Sequence, residues 1–317
     1  MKTERMIMTL VSLLIGVPVA YAQTYPVKPV RIVTSEPGGG TDFAARVIAQ
    51  GLTPLLGQQV VVENRPNGVP TIETVTRAAP DGHTLLLLGS SVWLLQYLQD
   101  NVSWDPLRDL AHITLAMRAA NVVAVHPSLP VKSVQELIVL AKQRPGELNY
   151  GTAGAAASNL LAAELFKAMA GVNLVRIPYK GTGPAMNALL AGEVQLMFPT
   201  PASVMPHAKS GRLRALAVTS AEPSDLLPGL PTVASAIPGY ESVTPFGVFA
   251  TGRTPAAVVS RLNQEIVRVI RTDDVRKRFA DAGVEVVGST PEQLTSTIKA
   301  EMSRMGKVIK AAGIRSE

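Results

Sequence analysis

Residues 30–42, Val-Arg-Ile-Val-Thr-Ser-Glu-Pro-Gly-Gly-Gly-Thr-Asp, run from a β-branched strand through a glycine turn into the start of a helix. No other stretch of the chain restricts its fold as much. Gly38, Gly39 and Gly40 let the backbone adopt positive φ and let another group approach closely. Thr41 or Asp42 can cap the helix expected over 43–56, whose first N–H groups and positive dipole end suit an anion. The same pattern also reads as a tight strand-to-helix turn with ordinary capping.

The alternation continues along the chain. Strands are expected at 60–63, 84–89, 148–151, 174–178, 194–198 and 213–219. Helices are expected at 71–79, 134–144, 158–170, 185–191 and 202–210. Such alternation argues for α/β domains with parallel sheets. Ser133 and Glu136 form a capping box, and Pro145-Gly146 stops the helix they start. Two apolar segments in 113–125 carry the chain toward a second domain, and the proline-rich passage 223–245 reads as the return connection. The last third reads as helical, with Thr254-Pro255 and Thr290-Pro291 as helix starts.

Lys2 and Arg5 precede an apolar run over 6–17, and Ala20-Tyr21-Ala22 has the small–x–small pattern of a signal-peptidase site. Residues 1–22 are therefore expected to be a signal peptide cleaved after Ala22, and the mature chain to be periplasmic. The chain has no cysteine, which excludes disulfides, thiolate metal sites and cysteine nucleophiles. About 295 mature residues exceed the usual 100–200 per domain. Two α/β domains are expected, one of 23–123 plus 245–317 and one of 124–244. Losing Lys2, Arg5 and Glu4 leaves 28 basic and 23 acidic side chains, a charge of +5. That excess suits steering of an anion. It is too diffuse for nucleic acid, and aromatics are only 4% of the chain.

Catalytic and cofactor motifs are missing. His83, His112, His126 and His207 have no metal-ligand spacing and read as surface or turn residues. There is no G-x-S-x-G elbow, no phosphate loop and no G-x-G-x-x-G, so no metal, cofactor or catalytic residue is assigned. An exported enzyme stays open only as the alternative of a different class. Four post-strand loops occupy one topological position, beyond the carboxyl ends of strands, where open α/β sheets bind ligands. They are the loop with Ser35, Pro37, Gly38, Gly39, Gly40, Thr41 and Asp42; Ser90 and Ser91; Thr152, Ala153, Ala157, Ser158 and Asn159; and Pro199 with Thr200. Trp93 and Phe246 offer aromatic contact, with core packing the stronger reading for both.

At these residues the chain resembles the TctC or Bug family, the solute receptors of tripartite tricarboxylate transporters. The resemblance rests on Tyr25-Pro26-Val27-Lys28-Pro29-Val30-Arg31, Pro37-Gly38-Gly39 with Thr41-Asp42, and Val62-Glu63-Asn64-Arg65-Pro66. It also rests on Ala78-Ala79-Pro80-Asp81-Gly82-His83-Thr84-Leu85, Pro178-Tyr179-Lys180-Gly181 and Leu213-Arg214-Ala215-Leu216-Ala217-Val218-Thr219. It implies a two-domain α/β clamshell of the periplasmic-binding-protein type (type II-like), monomeric, with the ligand cleft between the domains. It implies too that Ser35 to Asp42 and Thr152 to Asn159 grip a small organic acid, which is passed to membrane transporter subunits or, alternatively, read by a sensor kinase. The chain departs from the family pattern at Ser35-Glu36-Pro37, at Gly154-Ala155-Ala156-Ala157-Ser158-Asn159 and at Pro199-Thr200. Pro199-Thr200 replaces an acidic residue that would pair with a ligand ammonium. The expected ligand is therefore a mono- or dicarboxylate with an apolar or aromatic body rather than an amino acid. Glu36 beside the pocket would repel an acid unless it points to solvent.

Overall fold

The computed structural model describes residues 25–66, 68–100, 102–153, 158–311 and 313–315. The expected signal peptide and its cleavage site, Ala157 and the rest of 154–157 lie outside the described residues.

The chain opens with β1 (Val30–Thr34), α1 (Gly40–Leu56), β2 (Val60–Asn64), α2 (Val69–Thr76), β3 (Thr84–Leu88), α3 (Ser91–Leu98) and β4 (Leu110–Ala120). It continues with β5 (Val122–Val125), α4 (Val134–Gln143), β6 (Asn149–Ala153), α5 (Ser158–Ala170), β7 (Val175–Tyr179), α6 (Thr182–Ala191), β8 (Leu196–Met197), α7 (Pro201–Lys209) and β9 (Arg214–Val218). It closes with β10 (Val243–Thr251), α8 (Ala256–Ile270), α9 (Asp273–Asp281), β11 (Glu285–Val286) and α10 (Pro291–Ala311).

Two sheets result, in the orders β11-β4-β10-β3-β1-β2 and β7-β6-β8-β5-β9. They are mixed, not parallel as expected. β1 lies parallel to β2 and β3, and β6 to β7 and β8. β10 and β5 are antiparallel to both of their neighbours. These two strands directly follow the passages between the sheets, so each enters its sheet from the crossover side and runs against the βαβ strands already there.

β10 and α3 escaped the sequence reading. β10 carries Pro245 and Gly247, which normally argue against a central strand. Register shifts at Phe246/Gly247 and Val248/Phe249 accommodate them. In α3 the buried residues Ser91, Val92, Trp93, Leu94, Leu95 and Leu98 leave no polar stripe and hence no helical periodicity.

Helices cover both faces of each sheet. In the first lobe α1, α8 and α9 bury one apolar cluster against the sheet, while α3 and α10 bury another on the opposite face. The second lobe has its own two clusters. The chain changes sheets at Asn121 and again between β9 and β10. Asn121 N–H donates to Thr219 Oγ1 at 2.6 Å, Thr219 Oγ1 donates to the Ser242 carbonyl at 2.6 Å, and Ser242 N–H donates to the Thr219 carbonyl at 2.7 Å. The two crossing strands are thus stitched together at one point.

Candidate functional site

The carboxyl ends of β1, β3, β6 and β8 face one another across the space between the lobes. A cavity of about 50 Å³ lies there, lined from the first lobe by Ser35, Glu36, Gly39, Gly40, Thr41, Leu88, Gly89, Ser90, Ser91, Thr244 and Phe246. From the second lobe it is lined by Ala153, Ser158, Asn159, Thr182, Pro199 and Thr200. Of the expected site residues, Ser35, Gly39, Gly40, Thr41, Ser90, Ser91, Ala153, Ser158, Asn159, Pro199 and Thr200 are brought together. Pro37, Gly38, Asp42 and Thr152 do not line the cavity.

Those four have other contacts. Asp42 accepts hydrogen bonds from Gly38 N–H at 3.2 Å, Arg46 Nε at 3.0 Å and Asn64 Nδ2 at 2.8 Å. Burial opposes ionisation of its carboxyl, but these bonds outweigh burial and hold it below the usual aspartate range. Asn64 Nδ2 also donates to the Ser35 carbonyl at 2.6 Å, so one side chain ties strand end and loop together. Thr152 is fully buried and its hydroxyl accepts from Arg176 Nε at 3.2 Å. Gly38 takes positive φ, +86°, whereas Gly39 is extended. Pro37 is exposed.

The glycines serve close approach between the lobes. A β-carbon on Gly40 would lie 3.2 Å from both Thr200 Oγ1 and Cγ2, and one on Gly39 would lie 3.3 Å from Thr182 Oγ1. On the facing lobe, a β-carbon on Gly181 would lie 2.9 Å from Glu36 Cβ. Gly89 is confined within the first lobe, where its missing side chain leaves room for Thr244 and Phe246 of β10.

Five helices, α1, α3, α5, α6 and α7, begin at the cavity wall. α1 begins at Gly40, earlier than expected, and neither Thr41 nor Asp42 caps it. Its N-cap Gly39, like Ser90 of α3, Gly181 of α6 and Thr200 of α7, provides no side-chain cap. α4, remote from the cavity, is capped by Ser133, which accepts from Glu136 N–H at 3.1 Å. α2, α8 and α9 also start without a side-chain cap, away from the cavity. What distinguishes the cavity is convergence. First-turn N–H groups and dipole ends from both lobes meet around hydroxyls and one carboxamide, with no Lys, Arg or His among the described lining residues. Asn159 Oδ1 accepts from Ala153 N–H at 3.4 Å and spans the start of the second-lobe loop. Ser35 and Thr41 hydroxyls are hydrogen-bonded to each other.

Sequence reasoning missed Thr182, Thr244 and Leu88 as lining residues. Thr182 opens α6 after the Pro178-Tyr179-Lys180-Gly181 motif, and that position after a strand was a usable signal. Thr244 lies on the unread β10 and carried none. Phe246 both packs in the core and lines the cavity, whereas Trp93 is wholly core. Glu36 is half-buried at the cavity wall, with its side-chain carbons against Gly181 of the facing lobe.

None of the four histidines lines the cavity. His112 is buried on β4, contrary to the surface-or-turn expectation, and His83 is buried in the turn before β3. His83 stacks edge-on with Tyr25 at 5.0 Å, and His112 is held between Thr295 Oγ1 and the Pro106 carbonyl. Among the described residues no cluster of His, Asp or Glu has the arrangement to hold a metal, and no helix is long and apolar enough to cross a membrane.

Comparison with known proteins gives a consistent result. The family model described as "Tripartite tricarboxylate transporter family receptor" matches residues 44–314. Protein BugT of Bordetella pertussis is 35% identical over 307 residues, 95% of this chain and 94% of its own. The solved structure of R. palustris Rpa4515 with adipate is 34% identical, has a TM-score of 0.87 and covers 92% of this chain and 99% of that one. MatC (Rpa3494) from Rhodopseudomonas palustris with bound malate is 28% identical, with a TM-score of 0.86 over 90% of this chain and 100% of that one.

Proposed function

Because the chain belongs to the TctC family of tripartite tricarboxylate transporter receptors, a family of solute-binding proteins rather than enzymes, we propose that it captures a small organic carboxylate in the periplasm. It delivers that solute to membrane subunits of the tripartite tricarboxylate type. The two lobes divide where the chain crosses at Asn121 and Ser242, close to the expected bounds of 23–123 with 245–317 and of 124–244 but with all of β5 in the second lobe and all of β10 in the first, and they close on the ligand about those crossing strands.

One observation carries the reading. Helix starts from both lobes converge on one cavity whose described wall has hydroxyls and an amide but no cationic side chain. Uncapped N–H groups with a converging dipole field stabilise a carboxylate without a counter-charge. Adipate and malate in the two similar structures are acids of this kind. Ser35, Gly39, Gly40, Thr41, Ser90 and Ser91 meet the ligand from the first lobe, and Ala153, Ser158, Asn159, Pro199 and Thr200 from the second. Leu88 and Phe246 face its apolar body. At roughly 10–15 Å³ per water, a cavity of about 50 Å³ holds only a few waters. An acid of adipate size therefore enters only when the lobes part.

The test is a thermal-shift series on refolded, ligand-stripped protein against mono-, di- and amino-carboxylates. A ligand at a hundredfold its Kd stabilises the folded state by about 2.7 kcal/mol. A shift with at least one of these acids and none with its uncharged amide is expected, and no shift with any of the acids overturns the reading.

A further inference from the structure

The first lobe carries a second concavity, at its end remote from the cavity. Thr244 and Phe246 near the start of β10 line the cavity, whereas Thr251 at the far end of that strand lines an open groove of about 740 Å³. Among its described lining residues are three arginines, Arg77, Arg108 and Arg253, and one acid, Asp109; Pro80 and the buried Trp104 also line it. Backbone contacts bring the arginines together from separate parts of the chain. Thr254 N–H donates to the Thr251 carbonyl at 3.2 Å, which closes a turn over 251–254. Gly252 N–H donates to the Asp109 carbonyl at 2.9 Å, and a β-carbon on Gly252 would lie 2.9 Å from the Arg108 and Asp109 carbonyl oxygens. Thr251 Oγ1 donates to the Val75 carbonyl at 2.9 Å, two residues before Arg77. One turn is thereby fixed against both the end of α2 and the residues entering β4, and Arg253 is its third residue.

Arg253 sits there against its own conformational preference. Its φ is +66°, in the left-handed region, and no other non-glycine residue among those described has a positive φ. The third position of a turn with this φ favours glycine or asparagine. The Arg253 side chain is exposed and has no ion pair or hydrogen bond with any described residue. No contact within the fold offsets the left-handed backbone, and outliers of this kind gather at functional sites. Its two neighbours are already oriented. Arg77 is held by Glu73 at 2.9 Å, and Arg108 by both carboxylate oxygens of Asp109 at 2.8 and 2.9 Å. A guanidinium has five N–H donors, so each keeps donors for a further acceptor. A lone small anion gains little from exposed arginines, because water screens each pair. An extended segment carrying several carboxylates meets all three arginines at once, so that each contact after the first forms within one complex.

We propose that this groove docks an acidic segment of a partner protein, with Arg253 as the residue that selects it; the surface is independent of the carboxylate site. The experiment is fluorescence anisotropy of a labelled hexaglutamate peptide with the protein at low and at physiological salt, and of hexalysine as the control. Hexaglutamate is expected to bind, more weakly as salt rises, and hexalysine not to bind. Arg253→Gly should weaken hexaglutamate binding by about threefold or more. Its melting temperature should equal or exceed that of wild type, because glycine suits the positive φ. Arg253→Lys should retain part of the affinity. Arg212→Ala, which removes an exposed arginine of the second lobe, should retain all of it. Hexaglutamate that does not bind at low salt, equal binding of hexalysine, or an equal effect of Arg253→Gly and Arg212→Ala would overturn the proposal. So would inorganic phosphate that competes as strongly as unlabelled peptide, since the groove would then take a small anion rather than a protein segment.

Discussion

Asp42 does not line the cavity; it holds the loop that does. Its carboxyl is ionised more readily than usual, so the sign of its pH effect is set. A group whose folded pKa lies below its unfolded value stabilises the fold above that unfolded value, near 3.8, and loses the contribution as pH falls through the folded one. Wild type should therefore melt higher than Asp42→Asn at pH 7. The gap should close below about pH 4, as a pair of melting series across pH would show. Phe246 belongs to the core and to the cavity wall at once. Phe246→Ala should cost about 3–5 kcal/mol in urea unfolding and also weaken acids with an apolar body, because the lost ring leaves a void on the ligand side. Trp93→Phe should lower stability alone, since Trp93 touches only the core cluster of α3 and α10.

At the scale of elements, α1 and α4 start differently for a physical reason. α4 begins at the surface, where Ser133 satisfies a first-turn N–H, and Ser133→Ala should cost about 1 kcal/mol without changing ligand affinity. α1 begins with Gly40 pressed against Thr200 of the other lobe. Gly40 has no positive φ, so a side chain there is tolerated by the backbone but not by the closed lobes. Gly40→Val should leave the ligand-free melting temperature within a few degrees of wild type while weakening ligand binding by about tenfold or more, or about 1.4 kcal/mol. Thr200→Ala in the same chain should restore part of that affinity, and a double-mutant cycle measures how much. Unchanged affinity in Gly40→Val would mean that the lobes bind without approaching this closely.

For the whole molecule, the decisive contacts lie where the chain crosses between sheets. Asn121, Thr219 and Ser242 are linked by hydrogen bonds, and Asn121 Nδ2 also reaches the Phe198 carbonyl at 2.7 Å, beside the cavity-lining Pro199 and Thr200. Thr219→Val keeps the shape but strips the partners of Asn121 N–H and the Ser242 carbonyl. Each group left unpaired and buried costs about 1–3 kcal/mol. The variant should unfold earlier in denaturant, and small-angle scattering of the ligand-free protein should report a larger radius if the crossing strands set the lobe angle. α10 adds a second tie, since Leu161 of α5 joins the apolar cluster that α10 forms with α3.

Much of this was legible in the residues. Local signals determined the βαβ alternation, the capping box at Ser133, the helix 158–170 and the four post-strand loops, because each depends on neighbours within a few positions. The family motifs run over the same stretches. β10, α3 and the mixed sheets were not legible. Pro245 and Gly247 are tolerated through register shifts against β4, and α3 has no polar face to reveal its period. Within the loop 35–42 the sequence determined that a glycine turn precedes a helix, but not which residues meet the ligand space. Asp42 turned away because Arg46 and Asn64, four and twenty-two positions along the chain, hold it. Glu36 faced the cavity wall because Gly181, on another lobe, leaves room for it. Chain composition determined that no cysteine chemistry is available here. Only the packing of two lobes decided that five helix starts share one space, since charges and dipoles act through distance, and distance between remote residues is set by the tertiary fold.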